Sequence, residues 1–298
     1  IQTTLGTMKA EVKKRMGPST HMALSRSLLD FSNQLVPYLT EQRYAGRLIY
    51  SGGDDVLAYT NLWEWDQWLW DIRQCFRGAD DPKDEFESTG DYWQRKTNAK
   101  RPRLYVPNRP LFTLGEKATV SFGLVIAHNS VPLAIALENL WEAEAEAKKH
   151  YCTTAKPEKA KDAAQVRVVY ANGNTLKATS KFGAFNQWQA LLPPAGDPDT
   201  KLTSALFEQA AQIWNQHPAP VYAAIEPWTQ VFCSRRDLFS NDDDARESFR
   251  QRLEQFLKCL WCTTQEADQS SEVQNWLKLA AFMIRSRKIN IKTPGGQS

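Results

Sequence analysis

The sequence predicts an α+β fold that ends in an all-helical part, and three observations carry that reading. Two segments, 46–60 and 166–182, set turn-forming pairs between short β-prone runs. Around them lie stretches whose apolar residues recur at three- and four-residue steps, the helical period. Beyond residue 182 the β-prone runs stop, and helical patterns separated by breakers such as LLPPAGDPD and HPAP take over. The expected organisation is a sheet-bearing domain, 1–182, followed by a helical domain, 183–298.

The elements follow in order. Residues 1–18 show no clear period. STHMALSRSLLDFSNQLVPYL then places Leu24, Leu28, Phe31, Leu35 and Tyr38 on one helical stripe, with Ser19 or Thr20 available as N-cap and Pro37 expected to bend or end the helix. GRLIYSGGDDVLAYT is a hairpin around Gly52 and Gly53, with Leu48 and Tyr50 alternating with Arg47, Ile49 and Ser51. NLWEWDQWLWDIRQCF is a second helix with Leu62, Trp65, Leu69, Ile72 and Phe76 on its buried face. Trp63, Trp68 and Trp70 widen that face, as core packing more than as a base-stacking platform.

Residues 77–115, rich in Gly, Pro and charge, read as an irregular insertion. ATVSFGLVIAH is a nearly continuous apolar run, expected as a strand buried on both faces. Pro132 suits the first turn of a helix reaching about Lys149, a charged connector follows, and Asn172-Gly173 joins two strands. Helices are expected near 203–216, 243–263 and 271–287. Helix, hairpin, helix, strand, helix, hairpin is the order of a ferredoxin-like palm sheet whose opening strand precedes residue 1.

Composition narrows the function classes. With 298 residues, 42% hydrophobic and 24% charged, the chain is globular and can bury a sizeable core. It has no apolar run long enough for a bilayer and no signal segment. Five scattered cysteines point to reduced thiols in the cytoplasm rather than a disulfide framework. A net charge of +3 does not mark a nucleic-acid binder. The start at Ile1 suggests a fragment of a longer chain.

The chemistry concentrates at Asp54 and Asp55. Adjacent carboxylates repel unless something cationic sits between them. Their apolar flanks are expected to be buried in a sheet, which would bring the pair to the edge of a core and favour a divalent metal over a solvated turn. Two-metal phosphoryl chemistry needs such clustered carboxylates, completed by a further acid on a neighbouring strand. Lys148 could reach a triphosphate, or could simply pair with Glu144 at i and i+4. His128 ends the apolar strand, as a ligand contact or a strand cap. Cys259 and Cys262 lack a second pair for zinc, Asp242, Asp243 and Asp244 suit a helix start, and the basic RSRKINIK reads as a solvated tail before an RNA contact.

Those blocks resemble the C-terminal part of Cas10, the Cmr2-type large subunit of type III CRISPR effector complexes. GRLIYSGGDDVLAY resembles the family's second palm, of nucleotide cyclase and polymerase type, and STHMALSRSLLDFS its preceding helix. VSFGLVIAHNSVPLAIALENLWEAEAEAKKH resembles its later strand and helix, and VRVVYANGNTLKATSKF with the helical remainder its palm end and C-terminal domain. The resemblance implies an ATP-dependent nucleotidyltransferase making cyclic oligoadenylate in an RNA-guided antiviral complex. The 3′-hydroxyl of one ATP attacks the α-phosphate of another and releases pyrophosphate. It implies Mg²⁺ or Mn²⁺ held by Asp54 and Asp55, phosphates admitted at Gly52 and Gly53, and an adenine contact at Ser25. Lys148 stands near the triphosphate and His128 near the nucleotide. The implied partners are ATP, crRNA, target RNA and other Cmr subunits, with no membrane. The nuclease domain, the first palm and the opening strand of the second palm have no counterpart here. Two other readings stand beside this one. One is a non-catalytic scaffold docking Cmr subunits and crRNA; the other is a diguanylate-cyclase-like enzyme, in which Glu-Phe would replace Val56 and Leu57.

Overall fold

The computed structural model describes residues 17–97, 106–151, 160–193, 202–234 and 242–287. They fall into two compact units. One holds the chain up to Thr60 together with Asp71–Ala118, the other Asn61–Trp70 together with Thr119 onward. The expected boundary at 182 lies within the second unit, where the last strand gives way to helix. As expected, all described regular structure after Lys181 is helical.

The first unit opens with α1 (Pro18–Asp30), whose N-cap is Gly17, without a side-chain cap bond. The expected caps Ser19 and Thr20 are inside the helix instead. Pro18 occupies the first turn, where its missing N–H is not needed and its fixed φ starts the helix earlier. Nor does Pro37 end the helical run. Phe31–Leu35 and Leu39–Arg43 are π turns on either side of Val36–Tyr38, with Val36 N–H bonded to Phe31 O and Tyr44 N–H to Leu39 O. A helical proline lacks a donor and presses on the carbonyl one turn earlier, and a widened turn makes room for it. The run therefore reaches Arg43 before it turns into β1 (Arg47–Gly52) and β2 (Asp55–Tyr59), a two-stranded antiparallel sheet.

The segment expected to be irregular carries a small antiparallel sheet of β3 (Phe86–Ser88), β4 (Tyr92–Arg95) and β5 (Leu111–Phe112). Strands this short show no alternation over enough residues to be read. Phe31, Leu35, Tyr38, Ile72, Phe76, Phe86, Trp93 and Leu111 are buried in this unit. Asp30, 3% exposed in its side chain, joins α1 to the β5 segment through Arg109 at 2.6 Å and the Phe112 N–H at 3.0 Å. Burial alone would raise the Asp30 carboxyl, but the hydrogen bonds from Arg109 and Phe112, with the charges of Arg109 and Arg26, hold it below the usual range.

The same unit buries one guanidinium completely. Arg43 meets Asp71 at 2.9 Å, Asp81 at 2.6 Å and Glu85 at 2.8 Å, while Tyr38 and Tyr44 hydroxyls donate to Glu85 and Asp71. Removing the charge that meets all three acids leaves buried carboxylates without that partner. Arg43→Met is expected to destabilise the unit by about 3–5 kcal/mol in chemical denaturation, and Arg43→Lys to recover only part, since an ammonium cannot fork between three acids. A wild-type midpoint in Arg43→Met would show the network to be dispensable.

The second unit is built on β6 (Phe122–Ala127), β7 (Ala163–Val169) and β8 (Thr175–Lys181), in that order, with β6 and β7 parallel and β7 and β8 antiparallel. The fully buried strand is β7, not β6, whose residues alternate between buried and partly exposed. An apolar run does not say which strand is central. The parallel connection is α3 (Leu133–Lys149), with Pro132 as its N-cap, and it lies directly on β6: a Cβ on Gly123 would stand 2.5 Å from Glu144 N and Leu140 O. Asn172 and Gly173 make the expected turn, Gly173 with φ +84°.

Helix α2 (Trp65–Arg77) contributes Trp65, Trp68 and Trp70 to this unit. Trp65 packs on Phe185 and Trp188, Trp68 on Phe122, and Trp70 on Phe182, so the tryptophans are core and not a base platform. The helical part follows as α4 (Phe182–Gln189), α5 (Ser204–Gln216), α6 (Ile225–Cys233), α7 (Asp243–Cys262) and α8 (Gln269–Ser286). Thr203 and Asp242 cap α5 and α7 through Leu206 N–H and Ala245 N–H.

Helix α8 closes the outer edge of β8. Thr179 N–H donates to Glu272 Oε2 at 2.7 Å and Trp276 Nε1–H donates to Thr179 O at 3.0 Å. Burial pushes the Glu272 carboxyl up to about 8, against the Thr179 bonds that favour its charge. In the unfolded chain it ionises near 4.3. Between those values the folded state holds the extra proton, so stability is full at low pH and falls as pH rises toward 8. Melting temperature should drop between pH 6 and pH 9, and Glu272→Gln should flatten that window; an unchanged slope in the variant would place the titration elsewhere.

Candidate functional site

The hairpin is set by what precedes it. Arg43 is locked in its acid cluster, Gly46 N–H bonds Thr40 O at 2.9 Å, and Glu41 accepts from the Leu48 N–H at 3.1 Å. Gly46 admits no side chain, because a Cβ there would stand 2.8 Å from Thr40 O and 2.9 Å from Tyr59 O. The chain therefore enters β1 along one path.

Register then decides which way each residue faces. Arg47 pairs with Tyr59, Leu48 with Ala58, Tyr50 with Leu57, Ser51 with Val56 and Gly52 with Asp55, leaving Ile49 as a bulge. Opposed residues share a face and neighbours alternate. Leu48, Ser51, Val56 and Ala58 make the inner, partly covered face. Tyr50, Gly52, Asp55, Leu57 and Tyr59 make the outer one. The expected alternation put Leu48 and Tyr50 together, but the bulge separates them.

Gly53 and Asp54 form a two-residue turn, with φ +62° at Gly53 and no positive φ at Asp54, the pattern of a type II′ turn with glycine first. Asp54 and Asp55 are both exposed. Neither has a hydrogen-bond or ion-pair partner among the described residues. The expected burial of the flanks is not found: Ile49, Tyr50 and Tyr59 are 53%, 57% and 56% exposed. A two-stranded ribbon covers only one of its faces, so the carboxylates stand at an open tip, where water tolerates their repulsion.

As oxygen donors the pair suits a hard divalent cation such as Mg²⁺ or Mn²⁺. Two carboxylates are fewer donors than such an ion takes, and among the described residues no group of three or more His, Cys, Asp or Glu could hold a metal. That result also leaves the Cys259 and Cys262 pair without a zinc site.

Ser25 lies on α1 in the same unit, exposed, on the face of Met22 and Leu29. Of the expected apolar stripe, Phe31, Leu35 and Tyr38 are buried and Leu28 is partly so, but Leu24 is 40% exposed and burial along α1 begins only at Ser27. His128 and Lys148 belong to the second unit. His128 follows β6 with its backbone N–H on Val169 O, and its Nδ1 lies 2.8 Å from Ser130 Oγ and 3.2 Å from the Ser130 backbone N–H. Lys148 pairs with Glu144 at 2.5 Å, with half its side chain exposed, so the i and i+4 pair is present. Such a surface pair contributes at most about 1 kcal/mol.

Two of the remaining sequence features also resolve. Asp242 caps α7, and Asp243 and Asp244 fill its first turn. Of the basic tail, Arg285 pairs with Glu208 and Arg287 with Asp66, while the lysines of that stretch lie outside the described residues, as do residues 1–16. The sequence reading missed Tyr50, whose ring lies over Gly52: a Cβ on Gly52 would stand 2.7 Å from the ring carbon Cζ and nearer still to the hydroxyl. The available signal was an aromatic residue two positions before a glycine, but the bulge hid the face it occupies.

A chain of a solved structure described as the apo state of Type III-B Cmr-beta superposes with a TM-score of 0.62 at 15% identity, covering 90% of this chain and 26% of that one. At that identity the likeness shows the fold, and this chain spans about a quarter of the length of the one it matches. No curated protein matches the sequence. The family model described as Cas10/Cmr2, second palm domain, matches residues 4–160, a stretch that contains the hairpin with Ser25, His128 and Lys148. Since that is more than half of the 298 residues, the chain belongs to the Cas10/Cmr2 second palm family.

Proposed function

We propose that the chain is the nucleotidyltransferase palm of a Cas10-type subunit, joining ATP into cyclic oligoadenylate within an RNA-guided type III complex in the cytoplasm. One observation carries the reading: in a palm-family segment, Asp54 and Asp55 are exposed side by side on a tight turn with no cation from the described residues paired to them. Mg²⁺ or Mn²⁺ bound there would activate the attacking 3′-hydroxyl and neutralise charge on the phosphates. Asp54 and Asp55 supply oxygen ligands. Gly53, with no atom within 4 Å of a Cβ position, leaves the backbone open to a phosphate. Ser25 offers a hydroxyl to the adenine edge, and Lys148 and His128, in the second unit, are the further nucleotide contacts that the family resemblance implies. Partners of the complex would be crRNA, target RNA and other Cmr subunits. Among the described residues no helix is long and apolar enough to cross a membrane.

A non-catalytic scaffold is the second reading, favoured by the missing third ligand among the described residues. Product analysis separates the two. In the assembled complex with target RNA, Asp54→Asn or Asp55→Asn should lower oligoadenylate yield by about two orders of magnitude or more, the scale on which transition-state electrostatics are lost, with assembly and RNA binding unchanged. Wild-type yield from both variants would leave only the scaffold.

Ser25→Ala removes one hydrogen bond to a base, so kcat/KM for ATP should fall about 3–10-fold and discrimination against GTP should narrow, without a shift in melting temperature. Equal ATP and GTP kinetics before and after the change would remove Ser25 from the site. Residues 1–298 alone should yield no cyclic product from labelled ATP and Mn²⁺, because one palm holds only half of an in-line donor and acceptor pair; robust product from the monomeric fragment would end the two-palm requirement.

A further inference from the structure

We propose that Tyr50 is a substrate-contacting residue of the hairpin, donating its hydroxyl to a phosphate oxygen of the nucleotide, and that Gly52 is glycine to make room for the Tyr50 ring. The proposal rests on the nucleotidyltransferase reading and deepens it.

Three features of the hairpin converge. First, the Ile49 bulge moves Tyr50 from the inner face, where its spacing from Leu48 would put it, to the outer face shared with Gly52 and Asp55. Second, the ring runs along β1 toward the turn and covers Gly52, ending with its hydroxyl over the residue paired with Asp55. Third, that hydroxyl has no partner among the described residues and the side chain is more than half exposed.

Chemistry says what such a group would meet. Ionised Asp54 and Asp55 are acceptors only, and two carboxylates repel a phosphate unless a donor or a cation intervenes. Between Ile49 and Ala58 the side-chain donors are the Tyr50 and Ser51 hydroxyls. Ser51 Oγ is buried on the inner face, away from Asp55. Tyr50 is thus the side-chain donor that the outer face of the tip presents, and a neutral phenol placed there can hydrogen-bond an oxyanion without competing for the carboxylates as a lysine would.

The glycine then has a different role from simple phosphate access. A methyl group on Gly52 would take the space of the Tyr50 hydroxyl and ring and swing that exposed side chain away from the tip, whereas Gly53 faces open space. The two residues act as one unit, and a double-mutant cycle exposes that coupling.

The test uses the assembled complex, titrated with ATP in the presence of Mn²⁺, and with Mn²⁺ alone followed by electron paramagnetic resonance. Tyr50→Phe should weaken ATP binding and raise KM about 3–10-fold while Mn²⁺ binding without nucleotide is unchanged. Gly52→Ala should weaken ATP binding to a similar extent in the wild-type background and add less than about 2-fold to Tyr50→Ala, because the collision is then gone. Melting temperatures of all four forms exclude unfolding as the cause. Wild-type ATP affinity in Tyr50→Phe, or an equal penalty for Gly52→Ala in both backgrounds, overturns the proposal. If Asp54→Asn abolishes product while Tyr50→Phe is silent, the nucleotidyltransferase reading stands and Tyr50 falls. A wild-type complex that does not bind ATP overturns both.

Discussion

The buried guanidinium of Arg43 is the constraint on which the first unit depends. Its side chain and that of Asp81 are fully out of water, and Asp71 is nearly so. Taking four charges into the interior costs several kcal/mol each, and their mutual attraction only offsets it when geometry is good. Here it is: Arg43 donates to Asp81 through both terminal nitrogens at 2.6 and 2.7 Å, and Asp81 also accepts the N–H groups of Lys83, Glu85 and Phe86. Residual strain shows in the protonation balance. Burial raises Asp71 despite the Arg43 charge, and burial with the Glu85 hydrogen bond pushes Tyr38 up to about 12. An apolar cluster would hold the elements together as firmly. What a fork of fixed donors adds is direction, because Arg43 sits at the end of the π-turned helical run and four residues before β1.

That direction reaches the hairpin through short links: Gly46, which tolerates no side chain, then Glu41 on Leu48, then the bulge at Ile49. None of these contacts involves Asp54 or Asp55. The turn is positioned from behind, by residues facing away from it, and its carboxylates are left without obligations to the described structure.

Local chemistry made part of this legible in the sequence. Asn172-Gly173 and Gly52-Gly53 announce their turns because positive φ is a property of one residue. Asp242 announces its helix because a cap acts within one turn. Elsewhere the deciding interaction lay outside the window being read. Pro37 looked like a stop, and π turns on both sides carried the helix past it. The apolar run 118–128 looked like the central strand, yet centrality is decided by β7 pairing on both sides. At the site, the Gly-Gly-Asp-Asp turn and its family were readable, but the exposure of its flanks was not. The face of Tyr50 depends on one unpaired residue, Ile49, and a one-residue shift reverses every side chain beyond it.

The two edges of the second unit's sheet differ in a way that bears on completeness. At β8 the Glu272 carboxyl and the Trp276 indole satisfy the Thr179 backbone, so that edge is closed. At β6, His128 N–H points to Val169 on β7, and in a parallel pair the alternate residues must point the other way. The N–H groups of Gly123, Val125 and Ala127 therefore face outward, with no strand beside them among the described residues. No proline, bulge or inward charge blunts that edge, the devices by which sheets usually refuse a further strand. An edge left in that state accepts strand addition through its backbone.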